Sequence, residues 1–404
     1  MKRIFVILLS IAIALVAKTQ TIHDFIPDAD RGDVVAMYNL GICYRQGYGC
    51  TPDLSKSFYW FRKAAEQGYA FAQYNLGVCY ENGEGVAKDC SQAAYWYRKA
   101  AEQGEANAQL QLAMLYDLGE GIAKDEEQAA YWYRKAAEQG IAEAQCYLGT
   151  CYYNGEGVAK DEEQAAYWYR KAAEQGIAEA QCYLGTCYYN GEGVAKDEEQ
   201  AAYWYRKAAE QGIAEAQCYL GTCYYNGEGV AKDEEQAAYW YRKAAEQGMA
   251  EAQYNLGTCY YIGEGVAKDE ERAVYWYRKA AGQGIARAQY NLGVCYENGE
   301  GVAKDCSQAA YWYRKAAEQG EANAQVQLAD LYFFGKGMAK DEEQAVYWYS
   351  KAAEQGIVDA QYNLGVCYYN GEGVAKDKDK AKYWLEKSAS QGYEPAKDVL
   401  LKTF

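Results

Sequence analysis

The chain has 404 residues with a formal net charge of -16, and it is 50% hydrophobic, 15% aromatic and 24% charged. That share of apolar and aromatic side chain forms a core, which excludes a disordered polymer, and the acidic balance removes the basic face of a nucleic-acid binder. A single histidine, His23, argues against a histidine-based catalytic centre or zinc site. At the start, Lys2 and Arg3 precede an apolar run over 4–17 broken only by Ser10, with Ala12, Ala14 and Ala17 towards its exit. This pattern predicts a signal peptide over 1–17, cleaved after Ala14 or Ala17. The run is 14 residues long, short of the about 20 needed to span a bilayer. An uncleaved short anchor is the alternative; the expected product is secreted or periplasmic, with no stable membrane insertion after cleavage. A lead-in over 18–32 follows.

From there the chain is periodic. All ten Trp fall on one series with a step of 36: Trp60, Trp96, Trp132, Trp168, Trp204, Trp240, Trp276, Trp312, Trp348 and Trp384. A fixed period of this length predicts one stacked array rather than several domains. Ten units fill 33–392, starting at 33, 69, 105, 141, 177, 213, 249, 285, 321 and 357, and 393–404 is a partial eleventh. The units 141–176, 177–212 and 213–248 are identical, and 72–109 recurs unchanged at 288–325. Blocks of the array were copied.

One unit reads IAEAQCYLGTCYYNGEGVAKDEEQAAYWYRKAAEQG. Ala144, Tyr147, Leu148, Cys151 and Tyr152 follow helical spacing and predict helix A with those residues on its core stripe. Gly155 ends it as a left-handed cap and Gly157 permits the tight turn. Asp161 caps helix B, with Gln164 at the third position as in a capping box. Ala165, Trp168, Tyr169, Ala172 and Ala173 give helix B its apolar stripe, and the Trp series is expected to mark its core centre. Acidic Asp161, Glu162 and Glu163 come early and Arg170 and Lys171 late, in the order the helix dipole favours. Tyr167, Trp168 and Tyr169 cannot all face one core at 100° per residue, so Tyr167 is expected outside, packed on the stems of Arg170 and Lys171. Gly149 within helix A, replaced only by Ala113 and Ala329, points to close helix contact. A single hairpin cannot bury both faces, so the units are expected to stack. The predicted fold is all-α, a right-handed α/α superhelix of helix-turn-helix pairs. It is closed by a capping helix in which Pro395, Ala396, Val399 and Leu400 cover the last unit.

The string A-x-x-x-L-G-x-x-Y-x-x-G-x-G-V-x-x-D followed by A-x-x-W-Y-x-x-A-A-x-x-G resembles the Sel1-like repeat, a relative of the tetratricopeptide repeat, over about 360 of the 404 residues. The resemblance implies adaptors that hold other proteins, in bacterial secretion and host contact and in the machinery of the endoplasmic reticulum. It names no partner.

Fourteen Cys in an exported chain call for a reason, because that compartment permits disulfides. Eight hold one repeat position: Cys43, Cys79, Cys151, Cys187, Cys223, Cys259, Cys295 and Cys367, with Leu115 and Leu331 at the other two, so the position reads as apolar core. Cys90 and Cys306 open helix B, each following its helix A cysteine with the turn between. Disulfides Cys79 to Cys90 and Cys295 to Cys306 are therefore expected, with Cys43 to Cys50 as a third. The resemblance adds that a cysteine-rich secreted branch carries bridges within each repeat, although its even pair spacing is absent here. No C-x-x-C occurs, so no metal and no cofactor are expected.

The helix A stripe opposite the core is read as Glu143, Cys146, Thr150, Tyr153 and Asn154. By resemblance it lines a concave surface, where Tyr153, Tyr189, Tyr225, Tyr261 and Tyr369 recur beside Asn154, Asn190, Asn226 and Asn370. Tyr supplies contact area with a polar tip and Asn pairs with peptide backbone, which suits an extended protein segment. Phe333 and Phe334 break the pattern as a hydrophobic anchor or as plain divergence. The G-x-G-x-x-K of the turn follows a helix and lacks the G-K-[ST] of a phosphate loop. Each identical unit carries six acids and three bases, a field that favours basic partners. The expected function is an exported scaffold or adaptor that binds protein through its concave surface and is not an enzyme. The alternatives are an envelope spacer or cell-wall binder and, remotely, a β-lactamase-like hydrolase of the cysteine-rich relatives, for which the S-x-x-K, S-D-N and K-T-G set is missing.

Overall fold

The computed structural model describes residues 22–403, so the expected signal peptide over 1–17 lies outside the described residues. Among the described residues the chain is all-helical, with 22 helices and no strand. They sort into two compact units, Met1–Lys207 and Ala208–Phe404. The first holds Ile22–Asp30 and then helix pairs such as Val34–Gln46 with Leu54–Glu66 and Ala142–Asn154 with Glu162–Glu174. The second runs from Ala214–Asn226 with Glu234–Glu246 through Lys378–Ser390 to Glu394–Thr403. Inside each unit, helices pack on their neighbours in sequence, as in a solenoid of helix pairs.

The helix ends follow from local chemistry. Gly155 stands at φ 80, ψ 32, and its N–H donates to the Cys151 carbonyl. Asp161 sits in extended conformation and its carboxylate accepts from the Gln164 N–H at 3.0 Å. Gly157 has a second reason besides its φ of 67: a Cβ there would lie 1.9 Å from the Glu126 carbonyl oxygen of the preceding repeat. The turn glycine is thus a seam residue, needed for one repeat to close on another.

The core departs from expectation in one respect. Trp168 is half-buried, and its neighbour Tyr169, 2% exposed, fills the interior. The two lie 100° apart on the helix, and spacing alone cannot choose between them. Gly149 decides it, because a Cβ there would sit 2.6 Å from the Tyr169 ring; the missing side chain makes the slot that the ring enters. Gly77 faces Tyr97, Gly257 faces Tyr277 and Gly41 faces Phe61 in the same way. Trp168 packs instead under the exposed Tyr167, ring centroids 5.0 Å apart and edge to face, with Lys171 Nζ 5.7 Å from the Tyr167 ring. The outer Tyr therefore stands where the sequence put it.

Candidate protein-binding face of the A helices

Helix A is packed on two sides, against its own helix B and the preceding one, which narrows its exposed face. Its exposed stripe is Glu143, Tyr147 and Asn154, with Thr150 half-buried between them. This corrects two assignments. Tyr147, placed on the core stripe by spacing, is 41% exposed and stacks on Tyr133 of the preceding repeat at 5.2 Å. Cys146, placed on the outer stripe, is buried at the seam, beside Tyr169 and Ala180. Burial pushes its thiol up to about 12, so it holds its proton at neutral pH.

The predicted tyrosines stand one step round from this stripe. Tyr153, Tyr189, Tyr225 and Tyr261 are half-buried, and Tyr369 lies at the edge of exposure. The Tyr153 hydroxyl donates to Glu192 of the next repeat at 3.0 Å, Tyr225 to Glu264 at 2.8 Å and Tyr261 to Glu300 at 2.7 Å. Lys160, Lys232 and Lys268 lie over the same three rings. The glutamate bond, with burial behind it, pushes Tyr225 up to about 12. These side chains brace one repeat against the next. Asn154, Asn190, Asn226 and Asn370 are exposed, and each donates to the glutamate two residues on in its own turn. Phe334 replaces that Asn and is 61% exposed, while Phe333 is half-buried against it edge to face at 5.1 Å. Lys336 and Lys340 sit over the two rings.

The variation between repeats has a physical order that the sequence alone did not disclose. Every buried helix B tyrosine has a hydroxyl to satisfy. Tyr169, Tyr205 and Tyr277 donate to Thr150, Thr186 and Thr258 at 3.2 Å, and Tyr241 pairs with Thr222 at 3.1 Å. Where the threonine is replaced by Val78, Met114 or Val294, an acid one turn on takes over: Tyr97 donates to Glu81, Tyr133 to Asp117 at 3.4 Å and Tyr313 to Glu297 at 2.8 Å. In the ninth repeat Asp330 itself accepts from Tyr349, and burial raises the Asp330 carboxyl above its ordinary range. Phe61 and Leu385, which carry no hydroxyl, stand at this position in the first and last repeats, where the threonine place holds Ile42 and Val366. A buried polar group without a partner costs about 1–3 kcal/mol, and the pairing rule follows from that cost.

A second network also escaped the sequence reading. Gln145 is buried, donates to the Ala137 carbonyl of the preceding repeat at 3.1 Å and accepts from Gln175 of its own helix B end at 2.7 Å. Gln109, Gln253, Gln289 and Gln361 repeat the arrangement. In the first repeat Met37 takes this place and Gln67 points to its sulfur at 3.4 Å. The signal was present as one Gln at the same place in nine units, but a polar residue inside an apolar stripe reads as surface until its neighbours are known.

Cys79 and Cys295 are buried on helix A, while Cys90 and Cys306 are half-buried at the first position of helix B. Cys43 is buried and Cys50 half-buried beside it. Among the described residues no group of three or more His, Cys, Asp or Glu is placed to hold a metal ion. No helix among them is long and apolar enough to cross a membrane.

Paired helices, a polar lattice between repeats and an outer stripe that changes from repeat to repeat define an α/α helical-repeat protein. The Sel1 repeat model matches residues 34–69, 70–105, 106–141, 142–177, 178–213, 214–249, 250–285, 286–321, 322–357 and 358–393, and the chain belongs to the Sel1 repeat family. It is similar to the crystal structure of a protective antigen present in uropathogenic Escherichia coli strains, with 42% identity, a TM-score of 0.84 and coverage of 94% of this chain and 81% of that one. A Sel1 repeat protein from Oxalobacter formigenes is 36% identical with a TM-score of 0.59, over 77% of this chain and 90% of that one. No curated protein matches. Sel1-repeat proteins are generally protein-interaction scaffolds, and the fold is a typical non-catalytic scaffold.

Proposed function

We propose that the chain is an exported scaffold that binds an extended, basic segment of another protein along the exposed stripe of its A helices. The observation that carries this is the pairing of an exposed acid with an exposed aromatic in each of the three identical repeats at 141–176, 177–212 and 213–248. Tyr147 and Tyr183 stand 41% and 45% exposed beside exposed Glu143 and Glu179 in the first unit, and Tyr219 stands beside Glu215 in the second. A tyrosine ring offers contact area at small entropic cost, and the carboxylates add attraction for Lys and Arg that salt screens within about 8 Å. Asn154 and Asn190 share the stripe in the first unit, and Asn226, Phe334 and Asn370 lie exposed at the same place of their A helices in the second. Tyr153 in the first unit, and Tyr225 and Tyr261 in the second, brace the stripe from behind through their glutamate bonds. Export draws support from the signal-like start of the sequence over 1–17 and from similarity to a protein described as a protective antigen. Thiol catalysis is disfavoured by burial, which keeps Cys151 and Cys259 protonated up to about pH 12.

The test is fluorescence anisotropy of the full chain with a labelled Lys-rich peptide and with its Glu-rich counterpart. The basic peptide should bind and weaken as salt rises, and Glu143→Lys with Glu179→Lys should abolish binding while leaving the helical circular dichroism unchanged. Equal binding of both peptides, or binding indifferent to these substitutions and to Tyr147→Ala with Tyr183→Ala, favours the spacer reading instead.

A further inference from the structure

In each repeat the turn tucks one apolar residue, three places after the helix-ending glycine, against the core: Val86, Ile122, Val158 and Val302 hold this place. In the first repeat the residue is Cys50, and it packs against the cluster that contains Cys43. Its Sγ lies 3.6 Å from the Cys43 carbonyl oxygen, the oxygen that also accepts from the N–H groups of Gly47 at 2.8 Å and Tyr48 at 3.0 Å. Cys43 is 0% exposed and Cys50 half-exposed, so the pair has one solvent-facing and one buried member. Burial first, and then the closeness of Cys50, pushes the Cys43 thiol up to about 11. The first repeat alone carries Cys at both the core place and the turn place. Cys90 and Cys306 stand elsewhere: their backbones close on Gly121 and Gly337 of the following repeats, where an added Cβ would lie 2.2 Å and 2.3 Å from their carbonyl carbons.

We propose that Cys43 and Cys50 form an oxidisable pair, which a hydroperoxide converts into a disulfide that fastens the first turn to the end of its helix A. The Cys50 thiolate attacks one peroxide oxygen and the O–O bond breaks. Cys50 becomes a sulfenic acid, and the other oxygen leaves as water or alcohol with a proton. The Cys43 sulfur then attacks Cys50, the S–O bond breaks and water leaves. Two thiols give up two electrons and two protons, and the peroxide takes both. The bridge closes beside the end of helix A, whose Arg45 pairs with Glu84 of the second repeat at 2.9 Å. It would therefore fix the terminal repeat, the place where a stacked array opens first.

Arg45 lies between the two cysteines, so trypsin reports the bond directly. The native full chain is treated with hydrogen peroxide, alkylated in denaturant and digested. The peptides 32–45 and 46–56 should appear joined, at their summed mass less two hydrogens, and should separate with dithiothreitol. Cys50→Val restores the residue type of the other repeats and so keeps the fold; it should abolish the joined species, whereas Cys90→Val should leave it intact. Full alkylation of both peptides after peroxide, overoxidation of Cys50 with Cys43 still alkylated, or a bond from either cysteine to Cys79 or Cys90 overturns the proposal.

Discussion

The hydroxyl of Tyr169 shows how a single polar atom orders the variation between repeats. It lies in the core and its partner Thr150 is 3.2 Å away. Thr150→Val should leave it unsatisfied and cost about 1–3 kcal/mol in urea unfolding. Adding Tyr169→Phe removes the orphan, so the double variant should return most of the loss, as the natural pairs Ile42 with Phe61 and Val366 with Leu385 imply. If the two substitutions add without coupling, the pairing rule fails. The rule also limits where function is sought. Glu81, Asp117 and Glu297 differ from Tyr153 because of what lies beneath them, and their difference needs no ligand to explain it. What the sequence disclosed at this scale was the residue types. Whether Trp168 or Tyr169 filled the interior depended on the Gly149 slot, a contact made on the neighbouring helix.

At the scale of the helix, the ends were legible and the faces only partly so. Asp161 and Gly155 act through their own backbone, and local chemistry sufficed to place them. Asp161→Ala should cost about 1 kcal/mol as a lost cap. Gly157→Ala should cost about 3 kcal/mol, because it combines an unfavourable positive φ with a backbone oxygen 1.9 Å from the new Cβ; a melting temperature unchanged by Gly157→Ala would show that the seam yields more easily than this geometry allows. The faces misled because helix A meets a helix on each side, so an apolar stripe broad enough for two contacts no longer identifies its centre. Tyr147 and Cys146, adjacent in sequence, exchanged places for that reason. Of the candidate site, Asn154 and Phe334 are exposed on helix A, while the partner of Tyr153 lies 39 residues ahead, beyond any local pattern.

For the whole molecule, the buried thiols set a stability limit at high pH. Cys79, Cys146, Cys151, Cys187, Cys218, Cys259, Cys295 and Cys367 are pushed by burial from 9.0 up to about 12, and Cys43 up to about 11. Their folded values lie above their unfolded ones, so the stabilisation is complete below pH 9 and is lost as pH rises towards 12. Each thiol contributes at most about 1.4 kcal/mol per pH unit in that window. The melting temperature of the reduced chain should stay level up to about pH 9 and fall steeply by pH 10.5; a flat profile would mean that the thiols reach solvent in the folded state. The Tyr169 hydroxyl, held by burial above its ordinary value, adds to the fall above pH 10.

Tyr169 finds Thr150 within its own repeat, while Gly157 meets only the backbone of the repeat before it. A repeat therefore travels with its private requirement already met, and at this seam it asks nothing of its neighbour's side chains. Unequal crossover that adds or removes whole repeats orphans none of these hydroxyls and creates no clash at the glycine. An insertion of one or two residues violates both at once. Copy number is accordingly the dimension along which such a chain can drift between lineages, and the three identical repeats at 141–176, 177–212 and 213–248 are what a lineage looks like soon after it has done so.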